Sequence, residues 1–404
     1  MLDVAEAQRI VLEHVQPLPA VELTLRDALY RTLAAPIRAD LDDPPFDKSV
    51  MDGYAVRSAD VANAPVTLAV VGQIGAGRQS DRTLRPGEAI QINTGAPIPP
   101  GADAVVRLEG TEPAATESQV VVKEHAGPGK FITPRAAHAR AGQTILQAGD
   151  WLTPTHIGVA ATAGAARVSV HRQPRVAILT TGDELVGIDE RPSGAQIRNS
   201  NQYLLEALAR SAHAEPWVLD PVGDNRSALA AAIRSALGTD ILCITGGVSV
   251  GAFDFVPEVL RELGATVHVH RMAIKPGRPT LFATASAGTL VFALPGNPVS
   301  AFVGFALLVR PALARLEGRR SVVPRPIRAR LIGKLPATTD RRSFFPASVM
   351  VTEGGEWTVE TLSWHGSGDS LGMAGANAMV ELAPRSPAVH DGENVSVYLL
   401  DRNG

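Results

Sequence analysis

The period of the hydrophobic positions changes several times along the chain, and each change predicts a change of architecture. Through residues 1–40 alanines and leucines recur at helical spacing. This predicts two helical pieces, the second over residues 27–35 and ended by Pro36. Asp42-Asp43-Pro44-Pro45 reads as a stiff extended connector, and residues 49–54 as a compact turn feeding a short strand over 54–56. From residue 65 to 122 the pattern is all strand (66–71, 88–92, 104–108 and 119–122) with Gly/Pro turns between. Helical spacing returns at 154–163. A small β domain over 44–141 is therefore expected as an insertion in a discontinuous helical domain made of 1–43 and 142–172.

After Pro174 apolar runs predicting strands at 175–179, 217–222, 241–245, 266–274 and 289–294 alternate with helical stretches at 201–211, 227–237, 255–263 and 299–316. That alternation predicts a doubly wound α/β domain over 173–318, in which ligands sit at the carboxyl ends of the strands. A basic joint at 319–323 and two prolines follow. Short alternating segments at 328–332, 349–351, 357–362, 378–382 and 395–399 then predict a C-terminal β-barrel over 319–404. The fold class is multidomain α/β plus β.

The loops at the predicted strand ends carry the candidate chemistry. The apolar run 241–245 breaks at Thr245 into Gly246-Gly247-Val248-Ser249-Val250-Gly251 and closes on Asp254. Glycines there let backbone N–H groups approach an oxyanion, and the helix that follows adds its positive end. Gly182, Asp183 and Glu184 follow one strand, and Asp224 another. Each acid taken singly reads as a helix cap. Four acids at one edge, beside anion-cradling loops, instead suit a bridging divalent cation such as Mg²⁺. Lys275-Pro276-Gly277-Arg278-Pro279 holds two cations on a proline-stiffened turn, fit for an oxyanion. Pro295-Gly296-Asn297-Pro298 is a second rigid loop, running into a helix start that includes Ser300.

Composition narrows the class. With 404 residues the chain exceeds one compact core, and about three or four domains are expected. A net charge of −3 without long runs of one sign argues against nucleic acid or an anionic membrane as partner. Cys243, the sole cysteine, allows no intrachain disulfide, and it reads as a small core residue in a cytoplasmic protein. The acidic start MLDVAEAQRI reads as a helix rather than a signal peptide. No phosphate loop of the GxxxxGK[ST] type, no Ser/His/Asp pattern and no Cys/His metal spacing is present. His268 and His270 alternate in a predicted strand and read as structural.

The motifs SVMDGYAVR, NTGAPIPPGADAVV, TTGDEL, RNSN, GDN, TGGVSVGAFD, IKPGRP and LPGNPVSAF occur in an order and spacing that resemble the molybdopterin molybdenumtransferases, the MoeA family, to which the E domain of gephyrin is related. The resemblance spans nearly the whole chain. It implies insertion of molybdate into adenylylated molybdopterin, giving molybdenum cofactor and AMP, with Mg²⁺ required. It also implies a homodimer of elongated subunits with the site in a cleft at the dimer interface, and leaves room for docking of a molybdopterin adenylyltransferase or molybdoenzyme chaperones. By motif, Asp52 and Thr94 would come from the inserted domain. Glu184, Asp224 and Asp254 would line the α/β side, with Asp224 and Asp254 as the Mg²⁺ ligands. Lys275, Arg278 and Ser300 would face the oxyanion, with Ser367 the nearest match to a further serine there. Gly182, Asp183, Thr245, Gly246, Gly247, Ser249, Gly251, Pro279, Pro295, Asn297 and Pro298 would contact substrate.

Two departures stand out. Where the family carries Gly-Glu-Asp, this chain has Ala136-Ala137-His138, which removes an acid. Where a second arginine flanks the C-terminal phenylalanine, Pro346 follows Arg341, Arg342 and Phe344. A cofactor-binding or delivery protein with weak catalysis is therefore the competing expectation.

Overall fold

The computed structural model describes residues 1–248 and 255–400. Its central sheet has six strands in the spatial order Glu215–Val218, Arg175–Thr180, Ile241–Thr245, Leu290–Leu294, Leu281–Thr284, Thr266–His270. The first four run parallel, and Leu281–Thr284 is antiparallel to both its neighbours. Ile241–Thr245 is buried at every position. Its side chains alternate between two cores: Ile241 and Cys243 join one, Leu242 and Ile244 the other. Val176 and Ile178 against Ala177 and Leu179 repeat the division. A strand covered on both faces needs apolar residues in both registers, which is why the sequence shows continuous runs here rather than alternation.

Helices cover both faces, as the doubly wound reading requires. Ser200–Ser211 and the long apolar helical stretch from Pro298 to Leu316 lie on one side, and Arg226–Ala236 with Val256–Glu262 on the other. The helix Arg226–Ala236 buries Leu229, Ile233 and Ala236, spaced four and three apart, and is capped by Asn225, whose side chain accepts from the Ala228 N–H. The helix Val4–Glu13 also joins this core, through Val4, Ala7 and Val11.

The stretch Pro298–Leu316 is long and apolar enough to cross a membrane, but 78% of its most apolar window is buried inside the protein, as in a core helix. It is not one regular helix. Pro311 has no N–H to give Leu307, and the chain widens into a π-helical turn over Phe305–Val309. The freed carbonyl of Leu307 accepts instead from the Gln8 side chain at 2.9 Å, which ties the N-terminal helix to the core.

Several local expectations are corrected. No helix forms over residues 27–35. A short 3₁₀ turn, Leu25–Asp27, is followed by a left-handed Tyr30 (φ 60°), then by bridges from Thr32 to Trp151 and from Leu33 to Val170. The backbone bonds that a helix would make internally go to Leu152 and Asp150, so tertiary pairing overrides helical spacing. Ala20–Thr24 pairs with Arg167–His171, and Ile37–Arg38 with Thr144–Leu146, over a core containing Leu33, Leu152 and Val170. The strand expected over 217–222 lies at Glu215–Val218. The strand expected over 266–274 breaks at Arg271 (φ 76°), and its end becomes a separate strand in another sheet. Leu281–Thr284 was concealed behind the preceding proline-rich turn.

The inserted sheet has six strands, with Glu88–Ile92 and Gly53–Val56 near its middle. In the C-terminal region Arg342–Val351, Trp357–Thr361, Ile327–Ile332, Asn394–Leu399 and Ala378–Leu382 pair in sequence, and the last returns to the first, closing a barrel. Arg342–Val351 is much longer than the expected 349–351. Ile274–Lys275, from the α/β region, pairs parallel to it through Lys275 and Ser343.

A buried ion pair joins these regions. Arg319 donates to Glu317 at 2.6 Å and lies 3.5 Å above the Trp151 ring. Burial pushes the Glu317 carboxyl up to about 7 despite Arg319. The folded state therefore holds a proton that the unfolded chain releases between about pH 4.5 and 7, and this group's contribution to stability falls as pH rises through that window. In urea melts, the stability of the natural chain relative to Glu317→Gln is expected to decline between those pH values and to stay level above them. A level difference throughout would show the carboxylate to be charged in both states.

Candidate functional site

The carboxyl ends of the parallel strands place four turns side by side. Thr181 N–H donates to Thr245 O at 3.0 Å, Gly182 N–H to Val222 O at 3.1 Å, and Gly246 N–H to Leu294 O at 3.3 Å. The strands thus stay in register up to the point where each turns away. Gly246 (φ 95°) is required there, since a Cβ would sit 2.2 Å from Thr181 O. Gly247 (φ 62°) follows, its carbonyl accepting from Val256 N–H at 3.3 Å. Asp183 Oδ1 accepts from the Asp224 N–H at 2.9 Å, so two of the expected acids belong to one hydrogen-bonded turn pair. The Glu184 carboxylate lies over Gly182. Ser249, Gly251 and Asp254 lie outside the described residues.

Two asparagines of the RNSN motif, not expected among the site residues, organise this edge. Asn199, 3% exposed, caps the helix Ser200–Ser211 and donates to Thr180 Oγ1 at 2.8 Å. Asn201 Nδ2 donates to Thr245 Oγ1 at 2.9 Å and to Gly296 O at 2.7 Å, joining two strand-end turns. Thr245 in turn donates to Pro295 O at 3.1 Å. The signal in the sequence was a pair of amides flanking a serine just ahead of a predicted helix, and it reads equally well as a plain cap.

A cavity of about 260 Å³ opens at this edge, with Thr181, Glu184, Asn201, Thr245 and Asn297 in its wall. Gly368 and Ser370 of the C-terminal region complete it. That outer loop is fastened by Asn297 Nδ2, which donates to Ser367 Oγ at 2.9 Å, and by Val299 N–H, which donates to Ser367 O at 3.1 Å. Asp369 rigidifies the loop by accepting from the N–H groups of Gly372 and His365, which hold its carboxyl below the usual carboxylate range.

Among the described residues the cationic turn contributes none to the lining of this cavity, and it touches the α/β edge through Gly277. Thr280 Oγ1 donates to Gly277 O at 2.7 Å, and Met272 N–H to Arg278 O at 2.9 Å, while Gly277 packs against the Ser300 carbonyl. Lys275 and Arg278 are exposed, Pro279 is half-buried, Pro295 is buried and Pro298 opens a helix. Ser300 is only 3% exposed.

Asp52 and Thr94 form a separate pair on the inserted sheet. Thr94 N–H donates to Asp52 Oδ1 at 2.6 Å, and this bond leads the causes holding the Asp52 carboxyl below its ordinary range. Gly53 fixes the turn, since a Cβ there would lie 1.9 Å from Val106 O. Among the described residues no hydrogen bond joins this pair to the α/β edge. His138, at the altered triplet, meets Asp43 at 3.1 Å, and Arg135 meets Asp42 at 2.5 Å, where the chain crosses to and from the inserted sheet. In this chain the residue in place of the missing acid is part of that crossing.

Among the described residues no group of three or more His, Cys, Asp or Glu side chains gathers as a metal cage. A Mg²⁺ shared with substrate phosphates takes only one or two carboxylates, and Asp224, exposed and braced through its N–H by Asp183, fits that chemistry.

Fold and site together define an α/β protein with a cavity at the carboxyl edge of its sheet and a loop from a second domain against it. Residues 2–164 match the MoeA N-terminal region (domain I and II), 177–315 a probable molybdopterin binding domain, and 328–400 the MoeA C-terminal region (domain IV). The chain is 37% identical over 378 residues to a molybdopterin molybdenumtransferase of Nostoc sp., covering 92% of this chain and 86% of that one. It is 34% identical over 405 residues to that of Staphylococcus aureus, covering 99% and 96%. The solved structure of a molybdopterin biosynthesis MoeA protein from Pyrococcus horikoshii OT3 superposes with a TM-score of 0.85 at 28% identity, covering 99% of this chain and all of that one. The chain belongs to the MoeA family.

Proposed function

We propose that the chain inserts molybdate into adenylylated molybdopterin, yielding molybdenum cofactor and AMP as a late step of cofactor biosynthesis. The observation that carries this reading is the meeting of the 180–185, 197–201 and 296–298 turns and Thr245 with Gly368 and Ser370 around one cavity, with Asp224 tied to the first of these turns through Asp183. Family membership over the full set of domains supports it.

Molybdate is a small doubly charged oxyanion, so its end of the site needs cationic and N–H donors. In this reading Lys275 and Arg278, which are not among the described residues lining the cavity, supply the first, and the Pro295–Pro298 turn and the Ser367 loop the second. In this reading the acids Glu184 and Asp224 serve the cation end. When bound, Mg²⁺ held by Asp224 and Asp254 would neutralise the phosphoanhydride and ease departure of AMP. Asp52 and Thr94 would complete the cleft from a second copy of the chain in a cytoplasmic homodimer.

The deciding assay is release of AMP from adenylylated molybdopterin on addition of molybdate and Mg²⁺. Stoichiometric AMP with active cofactor is the expected result. Tight binding of the adenylylated substrate without AMP release would instead assign a delivery role.

A further inference from the structure

The side-chain carbonyl of Asn201 is buried and has no hydrogen-bond donor, while its amide nitrogen is doubly engaged. The two bonds from Nδ2, to Thr245 Oγ1 and Gly296 O, both end on acceptors, so the orientation of the amide is fixed and Oδ1 is the atom left over. A buried acceptor without a donor is costly, and native structures retain one chiefly where a ligand or a water completes it. Asn201 stands in the wall of the 260 Å³ cavity, between Thr245 of one strand end and Gly296 of the next. The cavity wall also carries the hydroxyls of Thr180, Thr181, Ser200 and Ser370, the Glu184 carboxylate and one guanidinium, that of Arg198, whose Nε donates to Ile188 O at 2.9 Å.

We propose that Asn201 Oδ1 reads the substrate by accepting a hydrogen bond from an N–H of its heterocycle. This makes Asn201 a specificity residue for the ring rather than for the oxyanion. The inference rests on the functional reading above. The N–H donor has two sources in one substrate, the pterin ring and the adenine ring, and both present the required chemistry. An oxyanion cannot serve, since it brings no donor.

The test is steady-state kinetics of Asn201→Ala together with the structure of the natural chain bound to a simple pterin or, separately, to AMP. The Michaelis constant for adenylylated molybdopterin is expected to rise about tenfold, the cost of one hydrogen bond left unmade, with that for molybdate unchanged. In the loaded natural chain a ring N–H should lie within hydrogen-bond reach of Oδ1, and whether pterin or AMP provides it identifies the ring. The inference is overturned if both Michaelis constants rise together, which would mark Asn201 as a mere tie between strands. It is also overturned if neither changes, or if water occupies Oδ1 in both loaded structures. Should Asn201→Ala fail to fold, the two loaded structures decide alone. Failure of the natural chain to release AMP would count against the functional reading, whereas release of AMP with an unaffected variant counts against this inference only.

Discussion

Lys275→Ala is expected to lower molybdate-dependent AMP release by about a hundredfold or more while leaving the urea midpoint nearly unmoved. The catalytic half of that expectation comes from electrostatics: an ammonium beside a bound oxyanion is worth about 3 kcal/mol once bound substrate excludes water from the exposed Lys275 side chain. The structural half comes from the backbone. Lys275 is exposed, and its contribution to the fold is the pairing of its main chain with Ser343, which alanine preserves. Surface substitutions of that kind stay within about 0.5 kcal/mol. Lys275→Arg should recover part of the rate, since charge persists but the planar fork replaces a point charge. A Lys275→Ala protein with natural turnover would remove the cationic turn from the site.

Gly246→Ala is expected to have the opposite signature, a large loss of stability together with activity. The residue has φ 95°, and an added Cβ would lie 2.2 Å from the Thr181 carbonyl oxygen and 3.2 Å from its carbon. Those are main-chain atoms of a neighbouring strand end, so no side chain can swing aside. The left-handed backbone alone costs alanine about 1–2 kcal/mol, and relief of the contact must part Thr181 from Thr245. We expect about 3 kcal/mol or more in urea melts. Gly72→Ala provides the contrast, since no atom lies within 4 Å of its added Cβ; its cost should stay below about 1 kcal/mol. Equal behaviour of the two variants would refute the argument from close approach.

Much of this arrangement could be read from residues alone, and the exceptions have physical causes. Runs such as 241–245 and 88–92 are legible because burial on both faces leaves near-continuous apolar residues bounded by turns, and both match the observed strands. The 27–35 stretch misled because alanine and leucine fill a sheet-edge core as well as a helix face. The 298–316 helix was visible as a whole, but its π-helical turn before Pro311 was not, nor was the bond from the Gln8 side chain to the Leu307 carbonyl, a contact that no local pattern reports. The glycine, proline and acid clusters announced the α/β edge. Asn201 stayed hidden because a cap and a ligand-reading amide look identical in sequence, and only the geometry of its partners separates them. Asp52 and Thr94 lie on the inserted domain, where a hydrogen bond between two of its loops, invisible in the sequence, joins them.

The short strand Ile274–Lys275 belongs by sequence to the α/β region but by hydrogen bonding to the barrel. The main chain that carries Lys275 is thus anchored to the barrel, so a chain trimmed of the barrel would lose the strand partner that holds this turn and, with it, the loop that Asn297 and Val299 fasten over the crevice.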